Sequence, residues 1–179
     1  GALSASLSAM VANLTFGKKG YEDVWPEMEV LAIRAQKLKE FFVSAIDQDT
    51  AAFNDVMAAI RLPKKTEDEK VSRARQIVAA NKLATMVPFS VLEKSLEVAQ
   101  LALLASEKGN RNSLSDAGVA GLTAAVASVG ALYNVLINLK QIDDLAFSTD
   151  IQGRAVALND QVEDAVARVK SRLKDELLG

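Results

Sequence analysis

The sequence predicts an all-α protein built as a single antiparallel bundle of long helices. Half of its 179 residues are hydrophobic, and the apolar residues recur at helical spacing over long segments. No segment sustains the apolar–polar alternation of a strand, and glycine and proline do not recur at hairpin spacing. We therefore expect one helical domain over residues 1–179.

The first two helices are separated by a glycine-containing break after Phe16. We predict a first helix over residues 2–16, rich in alanine and serine and ending at Gly17, a residue type that favours helix C-termini. The second helix begins near Pro26, because proline is favoured in a first turn. No breaker interrupts its apolar spacing before Pro63, so we predict one helix of about 35 residues.

A capping box marks the start of the third helix. Thr66 is placed to cap it, and Glu69 is placed to reach back to the backbone of Thr66. The apolar pattern then continues to about Glu107. Pro88 lies inside this pattern, and we expect it to kink or break the helix after Val87.

Two more helices complete the predicted bundle. Ser113 or Ser115 is expected to cap the fourth helix, which runs to about Ile142. The fifth is predicted over residues 144–178, with an interruption expected around Gly153 because glycine is a weak helix former.

Composition excludes several classes of function. The chain has no histidine and no cysteine, which excludes Ser-His and Cys-His nucleophile pairs and histidine-ligated metal sites. The net charge is −2 and no basic block is present, so we expect no nucleic-acid partner. The apolar run of residues 9–16 is too short to span a bilayer. We expect no bound metal, no membrane contact and a cytoplasmic location, since the absence of cysteine fits a reducing compartment.

Two acids in the segment IDQDTAAF (46–53) lie on different sides of the second helix. Asp47 and Asp49 are about 200° apart at helical spacing, so one apolar stripe cannot hold both. Asp47 belongs to a polar face, whereas Asp49 is in line with the apolar stripe. Asp49 is therefore either paired with a cation from a neighbouring helix or an acid/base group in an apolar cleft, where burial would raise its pKa. The stripe contains Phe42, Ile46, Phe53, Val56 and Ile60.

Asn134 and Asn138 share one face of the fourth helix because they are four residues apart. The same face continues to Ala127, Gly130 and Ala131, so it is unusually small-sided. The two amides could bond each other or the backbone in a closely packed core. Alternatively, they could bind a heterocycle with a mixed donor and acceptor edge, because each asparagine offers both functions.

The segment GNRNSLSD (109–116) and the pair Lys18–Lys19 supply further candidate binding residues. Glycine, asparagine and serine at 109–115 are typical of a helix end followed by a helix start. An exposed helix N-terminus can also hold an anion, and within this segment Asn110 and Asp116 are candidate substrate-binding residues. Lys18 and Lys19 form either a solvated turn or a cationic rim for an acidic ligand tail.

Taken together, five segments resemble the cyclodeaminase domain of formiminotransferase-cyclodeaminase and its single-domain bacterial relatives. The resemblance covers nearly the whole chain in the same order. Its most specific parts are the Asp-x-Asp-x-x-Ala-Phe run followed by Leu-Pro-Lys, and Asn-Val-Leu-Ile-Asn-Leu. The segments are MVANLTFGKK (10–19), AIDQDTAAFNDVMAAIRLPKKTEDEK (45–70), VP (87–88), GNRNSLSDA (109–117) and YNVLINLKQIDD (133–144).

This resemblance implies a dimeric helical bundle with a folate site in a cleft at the subunit interface. Tetrahydrofolate would be the substrate carrier, without a metal, and a formiminotransferase would be either fused or separate. The implied reaction closes 5-formimino-tetrahydrofolate to 5,10-methenyl-tetrahydrofolate with loss of ammonia. Asp49 falls on the family's acid/base position, Asn134 and Asn138 would orient the substrate, and Lys18 or Lys19 would meet its glutamate tail.

The sequence departs from the family in one respect, and two alternative functions are also consistent with it. The family carries a Gly-Gly-Gly-Ser segment ahead of the first helix, whereas this sequence begins within that helix, so we expect that residues precede Gly1. Loss of that segment would weaken substrate binding even with Asp49 intact. A methenyl-tetrahydrofolate cyclohydrolase, in which water opens the same ring, could use the same carboxylate. A non-catalytic helical interaction module is the third hypothesis, and it predicts no affinity for folate.

Overall fold

The computed structural model describes residues 1–178 and confirms the all-α prediction. None of these residues lies in a β-strand. Short 3₁₀ turns precede the second and fourth α-helices, at Glu22–Val24 and Arg111–Ser113. The α-helices are α1 (Ala2–Thr15), α2 (Trp25–Ile60), α3 (Glu67–Lys108), α4 (Leu114–Leu139) and α5 (Leu145–Leu178).

Contacts between helices show that consecutive helices run in opposite directions. Lys108 at the end of α3 pairs with Glu27 at the start of α2, with 2.6 Å between Nζ and a carboxylate oxygen. Gly118 near the start of α4 packs against Leu173 near the end of α5. Because the connections are short, α1, α3 and α5 point one way and α2 and α4 the other.

The structure confirms three of the predicted helix-end signals. Pro26 lies in the first turn of α2. Thr66 Oγ1 accepts a hydrogen bond from the Glu69 N–H at 3.2 Å, and the Glu69 carboxylate accepts from the Thr66 N–H at 3.1 Å, which completes the capping box. Gly17 follows α1 with a φ of 76°, in the left-handed region that favours glycine.

Two predicted interruptions are wrong. α3 runs without a break through Pro88, because the buried side chains of Phe89 and Leu92 anchor the next turn in the core. α5 runs without a break through Gly153. A single glycine costs a helix only about 1 kcal/mol, and α5 is held by Ile151 and Ala155, which are buried on either side of it.

The ends of α4 also differ from the prediction. Ser113 precedes α4, but its side chain forms no capping bond; instead the Ser113 N–H donates to the Asn110 carbonyl at 2.8 Å. α4 ends at Leu139 rather than near Ile142. α5 begins after Asp144, whose carboxylate accepts from the Phe147 N–H at 3.1 Å.

α1 covers the first half of α2. Its 14 residues span about 21 Å, and the 36 residues of α2 span about 54 Å. Core residues of α2 such as Met28, Leu31 and Ala35 are buried with α1 residues in one cluster. Gly1, before α1, lies beside Phe42 of α2.

Among residues 1–178, one helical stretch is long and apolar enough to span a bilayer by length and composition. It is Arg111–Leu139, with a mean hydropathy of 1.7. α4, which forms most of this stretch, packs against α1, α3 and α5. A core helix of a folded bundle passes the same test, so the expected absence of membrane contact stays an expectation.

Candidate active site

A cleft of about 530 Å³ opens where α1 begins. Three helices wall it: the middle of α2, the Pro88 region of α3 and the small-sided part of α4. Its lining is almost entirely apolar, and Asp49 is the one ionisable side chain among the described residues that line it. The lining residues are Gly1, Ala2, Phe42, Ala45, Ile46, Asp49, Thr50, Val87, Pro88, Val91, Val126, Ala127, Gly130, Ala131 and Asn134.

Asp49 lies on the α2 wall of the cleft, on the face that helical spacing predicted. No cation from residues 1–178 pairs with its carboxylate, so the structural ion-pair hypothesis finds no support there. The side chain is nevertheless exposed, as are its stripe neighbours Ile46 (66%) and Phe53 (61%). The expectation of burial is therefore wrong for the single chain. Asp47 is exposed outside the cleft, as predicted.

Asn134 lines the same cleft from α4. Its Nδ2 donates to the Gly130 carbonyl of its own helix at 3.2 Å, which leaves its Oδ1 and a second N–H available. Ala127, Gly130 and Ala131 continue this wall, as the sequence predicted. Residues 85 positions apart in sequence thus meet at one apolar cleft.

Asn138 does not line the cleft. Its Nδ2 donates to the Ala84 carbonyl of α3 at 3.1 Å. The two asparagines do not bond each other. Asn138 therefore matches the backbone-bonding alternative, whereas Asn134 remains available for a ligand.

Asn110 and Asp116 lie at the other end of α1. The Asn110 N–H donates to Thr15 Oγ1 at 2.8 Å, and its Oδ1 accepts from the Asn112 N–H at 3.1 Å. These bonds join the loop before α4 to the end of α1. Asp116 is half-buried in the first turn of α4. Neither residue lines the cleft.

Lys18 and Lys19 also lie away from the cleft. They follow α1, while the cleft opens at its beginning. The length of α1, about 21 Å, separates the two places within one chain. The structure therefore brings Asp49 and Asn134 together and leaves the other predicted binding residues outside the cleft.

The cleft also contains residues that the sequence analysis did not select as candidate site residues. Thr50 follows Asp49 directly, and Val87 and Pro88 form the α3 wall. The sequence signal for the α3 wall was the pair Val87–Pro88, which was used as part of the family resemblance and as a helix breaker but not as a candidate site. No group of three acidic side chains placed to hold a metal ion is found within residues 1–178.

Comparisons with known proteins match the whole of this architecture. A family model described as formiminotransferase-cyclodeaminase matches residues 1–157. A solved structure of formiminotetrahydrofolate cyclodeaminase from Thermotoga maritima superposes with a TM-score of 0.87 at 32% identity, covering 97% of this chain and 83% of that one.

Two curated relatives carry different names. Methenyltetrahydrofolate cyclohydrolase from Methylorubrum extorquens is 39% identical over 173 residues, covering 93% of this chain and 83% of the relative. Formimidoyltransferase-cyclodeaminase from Sus scrofa is 30% identical over 177 residues, covering 97% of this chain and 32% of the relative. The chain thus spans about a third of the length of that animal relative.

The all-helical bundle of this chain is the fold of the cyclodeaminase structure. The chain belongs to the formiminotransferase-cyclodeaminase family. The resemblance inferred from its motifs is confirmed.

Proposed function

We propose that the chain is a folate-dependent enzyme that converts 5-formimino-tetrahydrofolate to 5,10-methenyl-tetrahydrofolate and ammonia. The observation that carries this proposal is the cleft itself, where Asp49 is the one ionisable lining side chain among the described residues. Its volume of about 530 Å³ lies within the range of about 300–1,000 Å³ that is usual for small-molecule sites. The apolar walls suit a flat pterin ring.

The proposed reaction needs little beyond proton transfer. N10 of the folate attacks the formimino carbon on N5 of the same molecule, so the reacting atoms are already close. The N10–C bond forms, and the bond from that carbon to the imino nitrogen breaks. The N10 proton and one further proton leave with that nitrogen as ammonia, which gives the methenyl cation. Asp49 accepts the N10 proton and returns a proton to the departing nitrogen.

Asn134 would hold the substrate opposite Asp49. Its free Oδ1 and its second N–H match the mixed donors and acceptors of a pterin or formimino group. Gly130 and Ala131 beside it allow the ring to approach the backbone of α4.

Methenyl-tetrahydrofolate cyclohydrolase is the second candidate, supported by the 39% identity to the enzyme of that name. In this reaction a water molecule adds to the methenyl carbon, and the ring opens to a formyl group with release of a proton. Asp49 would take the proton from the water. The two candidates use the same ring carbon and the same carboxylate, so they differ only in the nucleophile and leaving group.

We further propose that the chain acts as a cytoplasmic homodimer, with any formiminotransferase fused or separate. Support comes from an α4 apolar stripe that is exposed in the single chain and adjoins the cleft through Val126. Packing of a second copy on it would remove water from the neighbourhood of Asp49. The α4 apolar stripe consists of Val119, Leu122, Val126, Tyr133 and Ile137.

A paired assay tests the proposed reaction. One sample follows formation of methenyl-tetrahydrofolate and ammonia from the formimino compound; the other follows hydrolysis of methenyl-tetrahydrofolate beyond its uncatalysed rate. Asp49→Asn keeps the shape of the side chain and removes its ability to exchange a proton. We expect a folded protein with a turnover about 10²- to 10⁴-fold lower.

Asp47→Asn is the matched control, since it removes the same charge from the same helix outside the cleft. We expect near-wild-type turnover for this variant. Ammonia release that depends on Asp49 supports the deaminase, and accelerated hydrolysis alone supports the cyclohydrolase. Full activity of Asp49→Asn would contradict the catalytic assignment. Absence of both activities and of saturable folate binding after the Gly-Gly-Gly-Ser segment has been restored would favour the interaction module.

A further inference from the structure

The carbonyl group of Ala84 in α3 lacks its usual hydrogen-bond donor within the helix. In an α-helix, the carbonyl of residue 84 accepts from the N–H of residue 88. Residue 88 is proline, which has no N–H. The side chain of Asn138, from α4, supplies a donor instead, with 3.1 Å between its Nδ2 and the Ala84 carbonyl oxygen.

This bond lies next to the cleft and connects two of its walls. Val87 and Pro88 line the cleft from α3, and Asn134 lines it from α4. Asn138 follows Asn134 by one helical turn, on the same face. Pro88 is buried and Asn138 is half-buried, so water has limited access to the Ala84 carbonyl.

We propose that Asn138 is a positioning residue that replaces the missing Pro88 N–H and thereby fixes the α3 and α4 walls of the cleft relative to each other. Its donor is committed to Ala84, so it does not bind substrate through that group. The consequence for catalysis rests on the function proposed above, because it requires that substrate occupies this cleft. The consequence for stability does not.

Pro88→Ala gives a direct test in the full-length chain. Alanine at residue 88 restores an N–H that can donate to the Ala84 carbonyl, so it makes the Asn138 donor redundant. Asn138→Leu removes the donor while keeping a side chain of similar size. In the wild-type background we expect Asn138→Leu to lower the melting temperature by about 3 to 10 °C. In the Pro88→Ala background we expect little or no decrease.

Comparison of the two backgrounds cancels the effects of each substitution alone, such as the better helix propensity of leucine. Asn134→Leu serves as the control, because the Asn134 amide bonds within its own helix. Its effect on the melting temperature should be the same in both backgrounds. Equal decreases for Asn138→Leu in both backgrounds would overturn the assignment of its donor to Ala84.

The positioning role requires a second readout. We measure kcat/KM well below the melting temperature, on whichever folate substrate the wild-type chain converts. Asn138→Leu should lower kcat/KM about ten- to a hundredfold with Pro88 present, and should change it little when Pro88→Ala is also present. If Pro88→Ala cancels the effect of Asn138→Leu on the melting temperature but not its effect on kcat/KM, the positioning role is overturned.

The failure of each proposal gives a different result. A wild-type chain that stays inactive on both folate substrates after the Gly-Gly-Gly-Ser segment has been restored would overturn the proposed function, and the positioning role with it. Thermal coupling in that chain would still establish the bond between Asn138 and Ala84. If the chain is active and the changes in melting temperature caused by Asn138→Leu and Pro88→Ala simply add, the proposed function stands and the inference about Asn138 is overturned.

Discussion

Gly130 is a glycine within a helix that packing against other helices does not require. A Cβ atom placed on Gly118 would clash with the Leu173 side chain of α5, so a larger residue there would require that side chain to move. A Cβ on Gly130 would meet nothing within 4 Å. Glycine costs about 1 kcal/mol in a helix interior. Because Gly130 lines the cleft, we infer that the space beside it serves the ligand.

Gly130→Leu should therefore stabilise the fold and weaken the binding of substrate. We expect the free energy of unfolding to increase by about 0.5 to 1 kcal/mol, because leucine is a better helix former. We expect KM for the folate substrate to rise by about tenfold or more, which corresponds to about 1.4 kcal/mol of lost binding. Thermal unfolding and steady-state kinetics measure the two effects.

Gly153→Leu is the matched control for this variant. Gly153 lies inside α5, and a Cβ there also meets nothing within 4 Å, but it does not line the cleft. We expect the same gain in stability and an unchanged KM. A normal KM for Gly130→Leu would show that the substrate does not use this space.

At the scale of the helices, α2 combines two environments on one continuous apolar face. Its first half is buried against α1, with Met28 and Leu31 inaccessible to solvent. Its second half carries the same apolar spacing, and Ile46, Asp49 and Phe53 are exposed there in the single chain. The proposed acid/base residue Asp49 therefore lies where α2 lines the cleft rather than the core.

The start of α5 gives a prediction about pH. The Lys82 ammonium donates to the Asp144 carboxylate at 2.6 Å and the Phe147 N–H donates to it at 3.1 Å. Chiefly through the Lys82 bond, these contacts hold the pKa of Asp144 below its ordinary value of 3.8. A lowered pKa in the folded state means that the stabilisation is present above pH 3.8 and is lost as the pH falls through the folded-state pKa.

Asp144→Asn should consequently lower the melting temperature near neutral pH by a small amount, since the pair is partly exposed. The difference from wild type should shrink as the pH falls below about 3.8. Thermal unfolding over a pH series measures this. The control is Asp143→Asn, which removes the same charge from the preceding residue. An Asp144→Asn deficit that persists in acid would contradict the ion-pair explanation.

At the scale of the whole molecule, the α4 apolar stripe is more exposed than a folded monomer normally tolerates. Contiguous apolar surface of this kind marks interaction sites. Val126 belongs both to this stripe and to the lining of the cleft that contains the exposed Asp49. A second copy seated there would complete the enclosure that a single chain lacks.

Leu122→Lys should therefore weaken self-association, since the dimer would have to bury a charge. We expect the dimer dissociation constant to rise by at least tenfold, or about 1.4 kcal/mol, as measured by sedimentation equilibrium. Leu145→Lys is the control, because Leu145 is equally apolar and more exposed but lies at the start of α5. A wild-type chain that remains monomeric at high concentration would contradict the dimer proposal.

The sequence by itself determined which residues share a helix face. Helical periodicity separated Asp49 from Asp47 and grouped Asn134 with Gly130, because side-chain direction in a helix depends only on local geometry. Helix starts were likewise predictable at Pro26 and Thr66, where the signal lies within a few residues.

Only the tertiary structure determined which neighbouring residues each helix face contacts. The same apolar spacing is buried at Leu31, which packs with α1, and exposed at Phe53, and periodicity carries no information about which face a neighbouring helix covers. Asn138 contacts α3 while Asn134 lines the cleft, although their local sequences are alike. Pro88 lies within a continuous helix, and α4 supplies a donor to the carbonyl that proline leaves without one. These outcomes depend on partners distant in sequence, so local patterns could not determine them.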